Sequence, residues 1–131
     1  MGMTRTAVAT KDAPGAIGTY SQGIRAGGTV YLSGQLGLDP TSGNLREGVD
    51  QQIDQAFRNL RAVATAAGAS LDDAVKLTLF LTDLSHFSLV NETMARYFTQ
   101  PYPARSTVQV AALPKGGVFE VEAILVTGSE S

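Results

Sequence analysis

The clearest structural signal in this chain is a long amphipathic helix, which the sequence predicts from Asp50 to Ala67. Asp50 is suited to cap its first turn, and Gly68 ends it. The apolar residues recur at helical spacing and form one stripe, at Ile53, Ala56, Phe57, Leu60, Val63 and Ala67. The opposite face carries polar residues that we expect to be solvated, namely Gln52, Asp54, Gln55, Arg58 and Arg61. No residue on this helix indicates chemistry.

Several predicted β-strands precede and follow this helix. Residues 4–9 are predicted as a short edge strand, followed by a turn-rich loop over residues 12–18. Two strands, over residues 20–26 and 29–35, flank Gly27-Gly28, which is typical of a two-residue hairpin turn. Gly34 lies in the second of them and permits a close approach by either another strand or a ligand. A further strand over residues 74–82 alternates in polarity, so one of its faces belongs to the core.

A second helix is predicted from Leu84 to Gln100, with Ser85 as its N-cap and the prolines at positions 101 and 103 as stop signals. Its apolar stripe contains one amide, Asn91. This side chain either satisfies its hydrogen bonds on a neighbouring loop backbone or lines a site at the edge of the helix. The only histidine, His86, lies in the first turn, and we interpret it as a solvated surface residue without a catalytic role. The stripe consists of Phe87, Val90, Asn91, Met94 and Phe98.

Composition excludes several functional classes. The 131 residues fit one domain, over residues 1–131. A net charge of −2 without a cluster of Lys and Arg argues against a nucleic-acid surface. The chain has no cysteine and one histidine, which excludes disulfides and thiolate chemistry and argues against a protein-built metal site. Since neither a bilayer-spanning apolar run nor a hydrophobic signal core is evident, we expect a cytoplasmic protein.

The first six residues, Met1 to Thr6, formally match an N-myristoylation pattern. The match is short, and a start-site remnant that precedes a native Met3 is the better interpretation. Residues 1–3 are therefore expected to be such a remnant or to be disordered.

The C-terminal stretch carries charge on two predicted strands joined by a Pro/Gly turn. Arg105 opens the first strand, and its guanidinium matches a carboxylate through two parallel hydrogen bonds. The alternative for Arg105 is an internal ion pair with Glu120 or Glu122. Those two glutamates share one face of the second strand, because side chains alternate along a strand. They either split their pKa values, one staying ionised while the other rises, or are both solvated.

The spacing of Arg105 and Glu120 limits the kind of site that they can share. If residues 113–117 form a hairpin loop, Val110 lies opposite Glu120, and Arg105 lies five residues further along its strand. The separation is then on the order of 17 Å, with the two side chains on opposite faces. A common site for a small substrate therefore requires a second subunit, which brings its Arg105 close to Glu120.

Several separated motifs follow one another along nearly the whole chain. They are Ala13-Pro14, residues 17–22 (IGTYSQ), Ser33-Gly34-Gln35, Val75-Lys76, residues 81–84 (LTDL), Phe87, Val90-Asn91, residues 103–107 (PARST), residues 113–116 (LPKG) and residues 120–123 (EVEA). In this order they resemble the Rid family of enamine and imine deaminases, the YjgF group. The combination is far more specific than any single motif.

The resemblance implies a fold, an assembly and a reaction. The fold is α+β and resembles trimeric chorismate mutase, with two helices packed on one face of a sheet. The assembly is a homotrimer with a central β-barrel and with sites in the clefts between subunits, which agrees with the spacing argument above. The reaction is the hydrolysis of 2-imino acids, formed from 2-aminoacrylate or 2-aminocrotonate, to 2-oxo acids and ammonia, without a metal or organic cofactor.

Carried over by motif, the resemblance gives each candidate site residue a role. Arg105 holds the substrate carboxylate, helped by backbone N–H groups near Gly34 and Thr107. Glu120 positions and activates the attacking water. The pocket is completed by Tyr20, Ser33 and Asn91. Because an imine carbon is already electrophilic, positioning and one proton relay suffice.

The chain departs from the family pattern at three places. Thr19 stands where proline is common, Thr107 replaces a cysteine of some members, and the segment over residues 99–102 is short, so that Tyr102 narrows the implied pocket. These departures affect the expected substrate preference, while Arg105 together with Glu120 favours the deaminase branch. Three functions compete with it. One is a regulatory trimer that binds a carboxylate metabolite without turnover. Another is an endoribonuclease or translation inhibitor, against which the acidic charge balance argues. The third is a holdase-type chaperone, which would need exposed apolar surface.

Overall fold

The computed structural model describes residues 4–128, so the remnant expected at residues 1–3 lies outside the described part of the chain. The strands are β1 (Arg5–Val8), β2 (Gly23–Ala26), β3 (Thr29–Leu36), β4 (Ala74–Leu81), β5 (Ala104–Gln109) and β6 (Phe119–Val126). The α-helices are α1 (Val49–Ala66), between β3 and β4, and α2 (Phe87–Tyr97), between β4 and β5. Within residues 4–128, neither helix has the length and apolar character that crossing a membrane requires.

All of these strands join one sheet in the order β1-β2-β3-β6-β4-β5. Neighbours are antiparallel except β4 and β5, which are parallel and connected through α2. The predicted hairpin between β5 and β6 is wrong, because β4 lies between them. Val110 N–H donates to the Leu81 carbonyl at 2.8 Å, and Thr82 N–H donates to the Val118 carbonyl at 3.2 Å. The chain after β5 therefore crosses the end of β4 and returns on its other side.

The core lies between the sheet and both helices, on one face of the sheet. Alternate residues of β4 are fully buried on this face, and their partners on β6 are buried as well. Phe57 of α1 joins the layers, because its ring lies 5.5 Å from that of Phe119 on β6 and 5.6 Å from that of Tyr97 on α2, between centroids. The α+β arrangement, one sheet with two helices on one face, is confirmed. The central pairs are Leu77 with Ala123, Leu79 with Val121, and Leu81 with Phe119.

Helix α1 differs from the prediction on its polar side. Gly48, with a φ of 87°, precedes its first turn, and no side chain caps it, so the predicted cap at Asp50 is wrong. The solvated positions predicted for Gln52 and Gln55 are also wrong, since both residues are buried. Both amides form hydrogen bonds with Arg46, which lies in the segment between β3 and α1. The helix thus buries a polar stripe beside its apolar one.

Helix α2 starts and ends differently from the prediction. A short turn over residues 84–86 precedes it, and there Asp83 accepts a hydrogen bond from the backbone N–H of Ser85, so Asp83 replaces Ser85 as the cap. His86 in this turn is half-buried rather than fully solvated. The helix ends at Tyr97, three residues earlier than predicted, because Phe98 is extended and buries its side chain in the core.

Candidate active site

Helix α2 holds the guanidinium of Arg105 in place. Arg105 lies on β5 level with Leu77 of β4, so its side chain is on the face of the sheet that the helices cover. Its Nη1 donates a hydrogen bond to Asn91 Oδ1 at 2.7 Å and lies 3.3 Å from Met94 Sδ. Its Cζ lies 5.1 Å from the ring centroid of Phe87, within range of a cation–π contact. These three partners are four and three residues apart and therefore share one face of α2.

No carboxylate forms an ion pair with Arg105 within residues 4–128, where the ion pairs are Arg46–Asp39, Arg58–Asp54 and Arg96–Asp54. The alternative prediction, an internal ion pair with Glu120 or Glu122, is therefore wrong. Arg105 instead borders an open cavity of about 390 Å³. A half-buried guanidinium without an anion of its own is suited to bind one from outside. The other residues around this cavity are Asn91, Met94, Ala95, Tyr102 and Pro103.

Asn91 and Thr107 lie beside Arg105. Asn91 is exposed in the single chain, and its amide oxygen accepts a hydrogen bond from Arg105 in place of contact with a loop backbone. Thr107 is half-buried, two residues after Arg105 and on the same face of β5. We call Arg105, Asn91 and Thr107 the Arg105 half-site.

Glu120 lies on the other face of the sheet. It is level with Phe80 of β4 and Leu36 of β3, and it points away from the side of β6 that buries Phe119 and Val121. A second cavity, of about 320 Å³, opens beside it. Residues bordering this cavity include Ile17, Tyr20, Gly34, Pro114, Lys115 and Glu120.

Gly34 provides the space that the Glu120 carboxylate occupies. A Cβ atom at position 34 would lie 2.6 Å from Glu120 Oε2 and 2.8 Å from its Cδ. The pairing of β3 with β6 is irregular between Leu32 and Gln35, and irregularities of this kind change the direction of side chains beside functional sites. The close approach predicted at Gly34 is thus made by a side chain of the neighbouring strand.

The surroundings of Glu120 favour its protonated form. Burial raises the pKa of the Glu120 carboxyl above its ordinary value, and the charge of Glu122 raises that pKa further. Of the two alternatives for this pair of carboxylates, a raised pKa on one of them is therefore the one that Glu120 shows. A carboxyl with a raised pKa is suited to accept a proton and return it.

The loop before β2 brings Tyr20 to the same cavity, where its side chain is exposed in the single chain. Ser33 anchors this loop: its Oγ donates to the Ser21 carbonyl at 2.6 Å, and its N–H donates to the Gln22 carbonyl at 3.0 Å. The hydroxyl of Ser33 is therefore engaged in holding the loop. We call Glu120, Tyr20, Gly34 and Ser33 the Glu120 half-site.

A single chain thus keeps the two half-sites apart. Arg105 and Glu120 are separated by two strand spacings and three residue levels, a distance of about 14 Å along the sheet, and they lie on opposite faces. Separate faces and a long distance are what the spacing argument predicts, although the hairpin on which that argument depends is wrong. The intervening strand β4 produces the same separation.

Three residues at the half-sites had no predicted role. Phe87 and Met94 contact Arg105, and their spacing from Asn91 along the helix was the available signal. Lys115 borders the Glu120 cavity from a left-handed backbone conformation, with a φ of 59°. Lysine rarely adopts this conformation, so the sequence carries no signal for it.

Comparison with known proteins relates these features to characterised relatives. The family described as Endoribonuclease L-PSP has a model that matches residues 10–127. The human 2-iminobutanoate/2-iminopropanoate deaminase is 44% identical over 127 residues, which cover 96% of this chain and 93% of that protein. The bovine protein of the same name is 46% identical over the same share of both chains.

Solved structures agree with the sequence relatives. RidA from an Antarctic Psychrobacter bacterium is 54% identical, with a TM-score of 0.91 over 92% of this chain and 98% of that chain. TdcF of Escherichia coli, solved with bound serine, is 41% identical, with a TM-score of 0.88 over 92% and 98% of the two chains. The resemblance seen in the motifs is therefore confirmed, and this chain belongs to the Rid family, which the Endoribonuclease L-PSP model describes.

Proposed function

We propose that this chain hydrolyses 2-imino acids, such as 2-iminopropanoate and 2-iminobutanoate, to 2-oxo acids and ammonia. The names of the human and bovine relatives support this activity. The observation that carries it is the pairing of unlike half-sites: a guanidinium without a carboxylate partner in residues 4–128, and a carboxyl with a raised pKa. A substrate with a carboxylate next to a C=N bond requires one group of each kind.

The chemistry requires only positioning and proton transfer. Arg105 holds the substrate carboxylate. Glu120 accepts a proton from water as the water oxygen bonds to the imine carbon, and it passes that proton to the imine nitrogen as the C=N double bond becomes single. Glu120 then takes the hydroxyl proton of the carbinolamine and gives it to the amino nitrogen, which leaves as ammonia as the C–N bond breaks and the C=O bond forms. One water is consumed and one ammonia released for each 2-oxo acid.

Two subunits build each site in the assembly that we propose, a homotrimer with a central β-barrel. The opposite faces of the two half-sites support this, because a small substrate cannot reach both within one chain. The face of the sheet without helices also exposes large apolar side chains, including Tyr31 and Val126, at 50% and 45%. Such surfaces are typical of interfaces. Tyr20, Ser33, Asn91 and Thr107 complete each cleft.

Mixing two inactive variants tests the shared site. Arg105→Ala and Glu120→Gln subunits, unfolded and refolded together, form mixed trimers in which one cleft of three has both native residues. Since about three quarters of randomly assembled trimers are mixed, we expect about a quarter of the wild-type activity to return. Each variant refolded alone is the control. A mixture as inactive as its components would contradict the shared site.

Asn91→Asp is expected to weaken substrate binding. The change places a carboxylate beside Arg105 Nη1, where Asn91 Oδ1 lies at 2.7 Å, so it competes with the substrate carboxylate for the guanidinium. We expect KM to rise by about 10-fold or more and kcat to change less, as one charge-assisted hydrogen bond is worth about 1.5–3 kcal/mol. Asn91→Leu is the control, because it replaces the same amide without placing a negative charge beside Arg105. An unchanged KM in Asn91→Asp would show that the substrate is held elsewhere.

The pH dependence of kcat/KM should reflect the raised pKa of Glu120. Glu120 acts as a carboxylate, so activity is present above this pKa and falls as the pH drops through it. The acid limb should therefore lie at a higher pH than the ordinary pKa of glutamate. The measurement follows imine decay across the pH range, with the spontaneous rate subtracted at each pH. An acid limb at the ordinary value would mean that Glu120 is solvated during catalysis.

The competing function is the binding of a carboxylate metabolite without turnover. The serine bound in the structure of TdcF is the reason to test it. Coupling this protein to an enzyme that releases 2-aminoacrylate from serine decides between the two. We expect the imine to decay faster than it does spontaneously. Decay at the spontaneous rate, with the assembly intact, would contradict the deaminase and favour a regulatory trimer. An endoribonuclease is less favoured, because the net charge is −2.

A further inference from the structure

A polar stripe on α1 lies behind the Glu120 half-site and has no direct part in the proposed chemistry. It consists of Gln52, Gln55 and Asn59, which are 8%, 5% and 0% exposed. Their spacing of three and four residues places them on one side of the helix. Burying an amide is unfavourable unless it is hydrogen-bonded, so the partners of these side chains indicate what the stripe holds.

The stripe holds the backbone on both sides of Glu120. Asn59 Nδ2 donates to the carbonyl of Leu36 at 3.1 Å, and Leu36 is the β3 residue level with Glu120. Gln52 Oε1 accepts a hydrogen bond from the N–H of Val118 at 3.0 Å, two residues before Glu120. One side of one helix therefore fixes the end of β3 and the start of β6, the two strands that meet at the carboxylate.

The same stripe fixes the segment that leaves β3. Asn59 Nδ2 also donates to the Leu38 carbonyl at 2.9 Å, and Gln52 Nε2 donates to the Arg46 carbonyl at 3.1 Å. Gln55 links them, because its Nε2 donates to Asn59 Oδ1 and its Oε1 accepts from the Arg46 guanidinium. Residues 38 and 40–43 of this segment border the Glu120 cavity. The stripe thus supports one wall of the cavity as well as the strands.

We propose that Gln52 and Asn59 are positioning residues, which keep the Glu120 carboxylate over Gly34 and beside the place where the attacking water must lie. The inference rests on the role proposed for Glu120. A displacement of about 1 Å at a catalytic group can lower a rate by about 100-fold. Two titratable side chains, Tyr20 and Lys115, border the cavity beside Glu120, and the charge of Glu122 on the same strand face acts on its carboxyl. None of them lies on α1, so replacing an amide there leaves their charges unchanged.

Gln52→Met in the full chain is the main test, because it removes both hydrogen bonds of Gln52 without changing charge. We expect kcat to fall by about 10- to 100-fold. The dissociation constant of 2-oxobutanoate, which Arg105 holds, should change less than about threefold, since the Arg105 half-site is untouched. The Glu120 carboxyl, followed by carbon NMR, should titrate closer to the ordinary glutamate pKa as the carboxylate becomes more solvated. Asn59→Leu is a second variant with the same expected signs.

Arg25→Met is the matched control, since Arg25 acts at the other end of α1. Its Nη2 donates to the Ala67 carbonyl at 2.6 Å, and its Nη1 donates to the Gly27 carbonyl at 3.1 Å. We expect a lower free energy of unfolding, with kcat and the Glu120 titration unchanged. An equal loss of kcat in this control would overturn the proposal, since general loosening would then explain the effect.

The proposal that the stripe positions Glu120 would also be overturned if Gln52→Met kept the wild-type kcat and the wild-type titration of the Glu120 carboxyl. The titration distinguishes this inference from the proposed function. If Glu120→Gln retains kcat, the role of Glu120 is wrong, whereas an unshifted Glu120 titration in Gln52→Met shows that the stripe does not position the carboxylate.

Discussion

Replacing Arg105 with alanine is expected to lower kcat/KM by at least about 100-fold while the chain keeps its fold. Two charge-assisted hydrogen bonds to a carboxylate contribute about 1.5–3 kcal/mol each, and every 1.4 kcal/mol corresponds to a factor of ten. Arg105 is on the edge strand β5 and only half-buried, so its removal leaves the core intact. The measurements are kcat/KM in the coupled assay and the dissociation constant of 2-oxobutanoate.

Two further variants test which properties of Arg105 matter: its positive charge, the planar shape of its guanidinium, and its position in the fold. Arg105→Lys keeps the positive charge but loses the planar fork, so we expect activity between that of the wild type and that of Arg105→Ala. Arg96→Ala removes an arginine of α2 whose ion pair is with Asp54, away from both half-sites, and should leave kcat/KM unchanged. Wild-type kcat/KM in Arg105→Ala would show that another group binds the carboxylate.

Replacing Glu120 with glutamine is expected to lower kcat by about 100- to 10,000-fold, the range that general acid–base catalysis usually provides. Glutamine has nearly the same shape but cannot take a proton from water. Binding of 2-oxobutanoate should change little, because it depends on Arg105. Loss of binding together with kcat would instead assign Glu120 a structural role.

The same substitution has an effect on stability with a definite sign. Because folding raises the pKa of Glu120, the folded chain binds a proton there more tightly than the unfolded chain does. Stability from this group is fully present below the unfolded pKa and is lost as the pH rises through the folded pKa. The free energy of unfolding of Glu120→Gln relative to wild type should therefore be greater at pH 8 than at pH 4. Chemical denaturation at both pH values measures it, and a difference independent of pH would contradict the raised pKa.

Local elements of this fold could be predicted from the sequence, whereas the order of the strands could not. The hairpin at Gly27 and the apolar stripe of α1 depend on residues close together in the chain, and both are present. The pairing of β5 with β4 depends on the path of α2 between them. A Pro/Gly turn after β5 suggests that β5 and β6 pair as a hairpin. They do not pair, because the apolar strand β4 takes the central position between them.

The candidate site residues could be named from motifs, but their contacts could not. Asn91 looked like a buried amide because its neighbours on the helix are apolar, yet it is exposed and bonded to Arg105. Gln52 and Asn59 gave no signal, because a polar residue on a helix usually faces solvent. Their burial depends on backbone carbonyl groups at the end of β3 and in the segment that follows it. These carbonyl groups approach the helix only in the folded chain.

Gly34 sets thermal stability and catalysis against each other. Its backbone is outside the left-handed region, so alanine would fit its conformation, and such a change ordinarily stabilises a protein by about 0.4–1 kcal/mol through the unfolded chain. The added methyl group would nevertheless take the volume of the Glu120 carboxylate. Alanine could therefore add stability only if the Glu120 carboxylate moved aside, and that move would take the carboxylate from the place that turnover requires, so selection for turnover retains glycine.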